Sequence, residues 1–216
     1  MHQHTPTAKK ITRHVLRLPK GKVFSIRDLL AYGKRSAVDS AVRYMVKLGR
    51  LIRVARGVLM RPGRQLKSIT PEEVAQIKAA AFGKLILPCS RKEAQSLKLI
   101  DDCPRVKGKE ITFETNGPTS SFLFGTLRIH FRKAGPRRLK LGTTKVGNYL
   151  RAFWAAGLAI INAKNIDEIV RFTLRQREEE LLPAARFMPF WLRDRFDIPI
   201  PYTHWATIQP SQKASA

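Results

Sequence analysis

Apolar residues in the N-terminal part of the chain recur at the three- and four-residue spacing of helices. The first series ends at Pro19 and comprises Ile11, Val15, Leu16 and Leu18. A short second helix is predicted to begin after Ser25, because Asp28 lies three residues later and completes a capping box. Gly33 is expected to end it. The pattern therefore predicts two helices, and a third helix begins soon after Gly33.

The third helix is predicted to be amphipathic, opened by Ser36 with Asp39 and closed by Gly49. Its apolar stripe consists of Val38, Ala41, Val42, Met45 and Leu48. The opposite stripe is short, polar and partly cationic, and consists of Ser36, Asp39, Ser40, Arg43 and Lys47. Two helices that meet at a tight turn in this way are typical of a helix-turn-helix.

A β-hairpin is predicted directly after the third helix. Residues 51–54 and 58–60 are apolar, strand-like runs, and they flank the three-residue loop Ala55, Arg56 and Gly57. Residues 23–24 form a further short strand that can pair with this hairpin. We therefore predict a winged helix-turn-helix DNA-binding domain over residues 1–64, with an arginine at the tip of the wing.

The remaining chain, residues 65–216, is predicted to be a second, mixed α/β domain, which makes the whole protein α+β. Its predicted helices begin at residues 71, 90, 145, 165 and 187. Its predicted strands are residues 85–87, 111–115, 122–124 and 127–131, the last three forming a small antiparallel sheet. The helix from Lys145 is apolar on every side, so we expect it to be the core helix, with further C-terminal helices around it.

The charge distribution adds a partner class to this picture. The formal net charge is +25, and residues 1–64 hold 16 basic and 2 acidic residues, a net charge of +14. An excess of this size favours a polyanion such as nucleic acid, although an anionic membrane surface or an acidic protein satisfies the same statistic. Because the charge is concentrated where the helix-turn-helix is predicted, double-stranded DNA is the favoured partner.

The candidate DNA contacts fall into two groups. Residues on the N-terminal half of the third helix are candidates for contacts to base edges: Ser36, Asp39, Ser40 and Arg43. Arg43 is the best candidate for a guanine, because a guanidinium can bond both purine acceptors at once. Basic residues around the helix and wing are candidates for phosphate contacts: Lys34, Arg35, Lys47, Arg53, Arg56 and Arg61. Arg56 alternatively enters the minor groove. The competing interpretation of both groups is an ordinary solvated surface.

No constellation of catalytic or metal-binding residues emerges from the sequence. Cys89 and Cys103 have no histidines near them at metal-ligand spacing, and we interpret both as reduced thiols. His130 and His204 have no nucleophile or carboxylate at an informative spacing. The most apolar stretch, residues 152–163, is too short to span a bilayer. We therefore expect a cytoplasmic protein without enzymatic activity, without a cofactor or metal, and without membrane association.

The segment 21–62 closely resembles the N-terminal winged helix of the AbiE-type antitoxins of bacterial abortive-infection systems, above all at Ala37-Val38-Asp39 and Arg56-Gly57. Residues 90–99 and 113–118 resemble segments of that family's second domain, so the similarity covers roughly residues 8–157. Lys98 and Asn116 depart from it, since the family commonly has glycine and aspartate there.

The resemblance implies a protein that represses its own operon by binding inverted repeats at the promoter. It also implies that the second, antitoxin-like domain counters a co-encoded nucleotidyltransferase-type toxin. An alternative is a plasmid or mobile-element transcription regulator without a toxin partner. The identity of the neighbouring gene distinguishes these two interpretations. A third interpretation, an enzyme that processes nucleic acid, requires a metal or nucleophile cluster that the sequence lacks.

Overall fold

The protein combines helices with two small sheets and is an α+β structure. The computed structural model describes residues 6–100, 109–157 and 178–195. Two compact units are present, one made of Met1–Cys89 with Asp102–Leu139 and the other of Ser90–Asp101 with Lys140–Ala216. The predicted helix from residue 165 lies largely outside the described residues, as do Cys103 and His204.

The first unit begins with a three-stranded sheet and the helices that cover it. In chain order these elements are α1 (Pro6–Arg17), β1 (Val23–Ser25), a 3₁₀ helix (Ile26–Tyr32), α2 (Arg35–Lys47), β2 (Ile52–Ala55) and β3 (Val58–Met60). The strand order is β1-β3-β2, and both pairings are antiparallel. The strand predicted at residues 23–24 therefore does pair with the hairpin.

Local chemistry sets the start and the end of the 3₁₀ helix. The Ser25 side chain accepts from the backbone of Arg27, and the backbone of Ser25 donates to the Asp28 carboxylate, which is the predicted capping box. Gly33 follows the last turn, as predicted. A Cβ at Gly33 would lie 2.5 Å from the Thr7 hydroxyl oxygen, so a larger residue here would require the Thr7 side chain of α1 to shift.

The helices of this region bury a common core that includes Ile11, Val15, Leu29, Val38, Val42, Met45, Leu51 and Leu59. Two leucines expected among these apolar faces are exposed instead, Leu16 to 55% and Leu48 to 46%. Leu16 is adjacent to the buried Val15, so it lies about 100° away around the helix. Leu48 caps the C-terminus of α2, and Leu51 takes the buried position beyond it.

The following segment supplies a four-stranded sheet. In chain order its elements are a 3₁₀ helix (Leu66–Ser68), α3 (Pro71–Ala80), β4 (Ile86–Pro88), α4 (Ser90–Ser96), β5 (Glu110–Thr115), β6 (Ser120–Phe124), β7 (Leu127–Lys133) and α5 (Pro136–Leu139). The sheet order is β4-β5-β7-β6. The β6–β7 pair is antiparallel, as predicted, and β4 also pairs with β5 in the antiparallel direction. The prediction that β5, β6 and β7 form an all-antiparallel sheet is wrong, because the central β5–β7 pair is parallel. This arises because the β6–β7 hairpin folds back and places β7 between β5 and β6.

One continuous core joins the two sheets of the first unit. Val54, Val58 and Met60 from the first sheet share an apolar cluster with Val74 of α3 and with Phe131 of β7. The compact units therefore do not divide at residues 64 and 65, where the sequence suggested a boundary between residues 1–64 and 65–216. Whether residues 1–64 fold independently of residues 65–216 stays a prediction.

The second unit is built around α6 (Lys145–Ala156), which packs with α4, α7 (Glu178–Ala185) and α8 (Phe190–Arg195). Thr144 caps α6 by accepting from the backbone of Gly147, and α6 ends at Gly157. Leu150 and Phe153 are fully buried, consistent with the core helix predicted from Lys145. α7 continues through Pro183, which lies inside the helix.

Candidate nucleic-acid interface

The outward face of α2 presents four of the predicted contact residues to solvent. Ser36, Ser40, Arg43 and Lys47 are all exposed. They lie at three- and four-residue intervals, so they form one polar stripe along the helix. Because the two serines are short, this stripe lets another molecule approach the helix backbone closely.

The start of α2 differs from the predicted one. The helix begins at Arg35, the N-cap is Lys34, and no side chain caps it. Ser36 is therefore inside the first turn and is not the cap. The Arg35 guanidinium instead bonds both carboxylate oxygens of Asp39, at 2.9 and 3.1 Å. Both residues are predicted DNA contacts, and here they pair with each other at the exposed N-terminal end of the stripe.

The β2–β3 hairpin carries two exposed arginines, Arg53 on β2 and Arg56 at the tip. Ala55 pairs with Val58, so the loop is Arg56-Gly57, one residue shorter than predicted. Gly57 has φ +83°, the left-handed conformation that the sequence pattern required at this position. The strand is irregular between Arg53 and Ala55 because Val54 is an extra residue opposite β3.

Two backbone contacts hold the hairpin tip in place. The Ile26 amide donates to the Gly57 carbonyl at 2.9 Å. The Lys78 ammonium of α3 donates to the Arg56 carbonyl at 2.8 Å and lies 4.3 Å from the centre of the Phe122 ring. Partial burial, and secondly the charge of Arg56, lower the pKa of Lys78 from its ordinary value. The sequence analysis did not identify Lys78, and no local motif marks it.

Arg61 has a structural partner that the sequence did not indicate. Its guanidinium donates to the backbone carbonyls of Leu16, at 2.8 Å, and Leu18. Cations are favourable at a helix C-terminus, where the last carbonyls have no partner within the helix. Arg61 thus joins the end of α1 to the chain that leaves β3. Its guanidinium was predicted to contact phosphate, but in the structure it bonds these carbonyls.

A groove of about 1140 Å³ lies along the surface where α1 and α2 pack against each other. Five cations line it: Lys9 and Arg13 from α1, and Arg43, Lys47 and Arg50 from α2 and the turn after it. Small residues such as Ala8, Ala37 and Ser40 also line it, together with the exposed Leu16 and Leu48. None of the described residues that line this groove is acidic. The sequence analysis missed it because α1 and α2 come together only through the tertiary fold.

The segment 113–118, one of those that carry the family resemblance, ties β4 to β5. The Thr115 hydroxyl donates to the Leu85 carbonyl at 2.8 Å, and the Asn116 side chain accepts from the Leu85 amide at 2.9 Å. Glu114 is buried and lies 3.5 Å from the Arg138 guanidinium. These contacts assign the segment a structural role within the first unit.

The described residues, 6–100, 109–157 and 178–195, contain no group of three or more His, Cys, Asp or Glu side chains that could hold a metal ion. No helix among them is both long and apolar enough to cross a membrane. Cys89 is a free thiol.

Comparison with known proteins places the chain in one family. The model of the family DUF6088, described as a family of unknown function, matches residues 10–182, so the chain belongs to this family. The match includes parts of both compact units. No curated protein and no solved structure shows significant similarity to the chain.

Proposed function

We propose that this DUF6088 protein binds double-stranded DNA through a winged helix-turn-helix formed by residues 6–60. The observation that carries the proposal is the order of elements: two helices meeting at Gly33, then a hairpin in a three-stranded sheet of order β1-β3-β2. In this interpretation α2 is the recognition helix and the β2–β3 hairpin is the wing. The net charge of +14 over residues 1–64 supports a polyanionic partner.

Base recognition is assigned to the exposed stripe of α2. Arg43 is its only arginine outside the Arg35–Asp39 ion pair among the described residues of this helix, and it is exposed. A guanidinium here can bond the O6 and N7 atoms of one guanine. Ser36 and Ser40 are short enough to let the helix enter the major groove, and their hydroxyls can donate or accept. Asp39 acts by orienting Arg35.

Phosphate contacts are assigned to the exposed cations around α2 and on the wing: Lys34, Arg35, Lys47, Arg53 and Arg56. Such contacts position the protein on the duplex without reading sequence. Arg56, at the wing tip, can also enter a narrow minor groove. Arg61 is left out of this set because its guanidinium already bonds the end of α1.

The biological role we propose is that of an antitoxin in a bacterial abortive-infection system. In this role the protein represses its own operon in the cytoplasm and counters a co-encoded nucleotidyltransferase-type toxin, without catalysis of its own. The support is the resemblance of residues 8–157 to AbiE-type antitoxins. We assign toxin binding to the protein's second unit, which is centred on α6 and has a helical core of its own.

DNA binding is tested with the full chain by fluorescence anisotropy. One labelled duplex comes from the region upstream of its own reading frame, and the other is a shuffled duplex of equal composition. We expect tighter binding to the upstream duplex by about 10³-fold or more, and a linear fall of log affinity with log salt. Equal affinity for both duplexes at every salt concentration would reject sequence-specific repression. Incubation with magnesium should leave both duplexes intact.

The antitoxin role needs a separate experiment, in which the neighbouring gene is expressed alone and together with this protein. Growth arrest by the neighbour and rescue by this protein are expected. A neighbour that does not arrest growth would instead favour the transcription regulator without a toxin partner.

A further inference from the structure

We propose that the groove between α1 and α2 binds an acidic amphipathic helix of a partner protein. The proposal starts from Leu16 and Leu48, two leucines of the predicted helical apolar patterns that the fold exposes. Both line this one groove. Two exposed leucines that converge on a single concave surface indicate a contact with an apolar partner.

The shape of the groove suits a helix. Small residues from both helices form part of its lining, with Ala8 and Thr12 on α1 and Ala37, Ser40 and Ala41 on α2. Small residues leave a channel into which the apolar face of a third helix can pack closely. Leu16, Leu48 and the 38% exposed Tyr44 then flank that face as large apolar contacts. The volume of about 1140 Å³ exceeds that of ordinary small-ligand pockets.

The charge of the groove selects an acidic occupant. Five cations line it, and none of its described lining residues is acidic. A helix with glutamate or aspartate beside its apolar face would therefore pair with the rims while its leucines fill the channel. A second copy of this surface would instead oppose cations with cations, which disfavours self-association here. DNA would satisfy the cations, but phosphates gain nothing from Leu16 and Leu48.

The position of the groove makes its occupant a competitor of DNA. Ser36, Ser40, Arg43 and Lys47 line the groove and also form the stripe assigned to DNA. A helix seated against them would block entry of α2 into the major groove. This competition rests on the proposed DNA binding, whereas the binding of the acidic helix itself does not. A partner of this kind would release the operator without any change in the fold.

Binding is tested on the full chain with a labelled synthetic peptide of about 18 residues, long enough for a marginal helix. The peptide carries leucine at alternating three- and four-residue spacing and glutamate between. A shuffled peptide of the same composition is the control for charge alone. We expect the amphipathic peptide to bind and the shuffled one to bind about tenfold or more weakly. Equal binding of the two peptides would overturn the proposal.

Substitutions of the two exposed leucines test whether the peptide binds in this groove. In the double variant Leu16→Gln with Leu48→Gln, the affinity for the amphipathic peptide should fall about tenfold or more. Leu123→Gln is the matched control, because Leu123 is 53% exposed on β6 and lies outside the groove. The control should bind like the natural chain. If the double variant binds the peptide like the natural chain, the proposal is contradicted. It is also contradicted if the double variant loses DNA binding but keeps peptide binding.

A competition experiment tests the consequence separately. If the natural chain binds both molecules, the peptide should displace the upstream duplex. If the chain does not bind DNA at all, the proposed function is rejected. The proposal that the groove binds an acidic helix is not affected, because peptide binding is measured without DNA. Simultaneous binding of peptide and duplex would contradict the assignment of the groove to the side of α2 that reads DNA.

Discussion

The α2 stripe and the tip of the β2–β3 hairpin are both exposed and cationic, but the protein holds them differently. Along the stripe, Ser36, Ser40 and Arg43 extend from a regular helix whose opposite face is buried. At the tip, the backbone itself is bonded, with Arg56 held by Lys78 and Gly57 by Ile26. A helix fixes its side chains through the core beneath it, whereas a two-residue loop needs contacts of its own.

Within the proposed DNA-binding surface, this difference separates two tasks. Side chains on a helix that enters the major groove distinguish bases, and a hairpin beside the helix contacts the backbone irrespective of sequence. The first task depends on individual side chains, while the second depends on the position of the hairpin and on its charge. Substitutions should therefore affect the two regions in different measurements, which the following predictions use.

The largest effect is expected from the core that both regions share. Leu59 lies on the central strand β3, is 1% exposed, and belongs to the cluster that α2 covers. Leu59→Ala should lower the free energy of unfolding by about 2–5 kcal/mol, because it leaves a cavity. Urea denaturation followed by circular dichroism measures this. Leu123→Ala, at an exposed strand position, is the matched control and should change stability by less than about 0.5 kcal/mol. Similar losses in both variants would show that β3 does not carry a common core.

A smaller effect is expected at Arg61, where the structure gives an arginine of the wing region a purely internal contact. Arg61→Ala should lower the free energy of unfolding by about 1–2 kcal/mol, because two helix-terminal carbonyls lose a charged donor. The slope of log DNA affinity against log salt should stay unchanged in this variant. If the slope falls by about one, as for a lost phosphate contact, Arg61 faces DNA and its bond to α1 does not persist in solution.

The smallest effect is expected at Lys78, which positions the hairpin tip. Lys78→Met should lower the free energy of unfolding by about 1 kcal/mol, because the bond to Arg56 and the contact with Phe122 are lost. Lys84→Met, at an exposed lysine after α3, is the control and should have no measurable effect. Equal stabilities of the two variants would contradict the anchoring role of Lys78.

The pH dependence of stability gives a second measurement at Lys78, because partial burial and the charge of Arg56 lower the pKa of this lysine. The pKa of Lys78 in the folded protein lies below the ordinary value of 10.5. Between the lowered pKa and 10.5, the unfolded chain binds more protons than the folded protein, so the free energy of unfolding contributed by Lys78 rises with pH. This rise should be present in the natural chain and in Lys84→Met, and absent from Lys78→Met, when urea midpoints are compared across that interval.

The sequence predicted features that depend on neighbours along the chain. The capping box of Ser25 and Asp28, the end of a helix at Gly33, and the left-handed Gly57 all follow from local geometry, and the structure contains them. The apolar stripe predicted for α2 is confirmed from Val38 to Met45 and is wrong at Leu48, where the helix has already ended. A periodic pattern cannot show where its last residue leaves the helix.

Features formed by distant segments could not be predicted in this way. The partner of Arg61 is 43 to 45 residues away, and that of Lys78 is 22 residues away. The parallel pairing of β5 with β7 depends on how a later hairpin folds back, which short turn signals do not specify. The groove between α1 and α2 is likewise a product of packing. The candidate DNA residues were therefore found from the sequence, while their supports were not.

The central claim, that α2 reads bases while the hairpin contacts the backbone, is tested by comparing Arg43→Ala with Arg53→Ala on the upstream and shuffled duplexes at several salt concentrations. Arg43→Ala should weaken binding to the upstream duplex by about 1–3 kcal/mol and leave the shuffled duplex nearly unchanged. Arg53→Ala should weaken both duplexes alike and lower the salt slope by about one. If Arg43→Ala weakens both duplexes equally, α2 is not reading bases and the account of this surface is wrong.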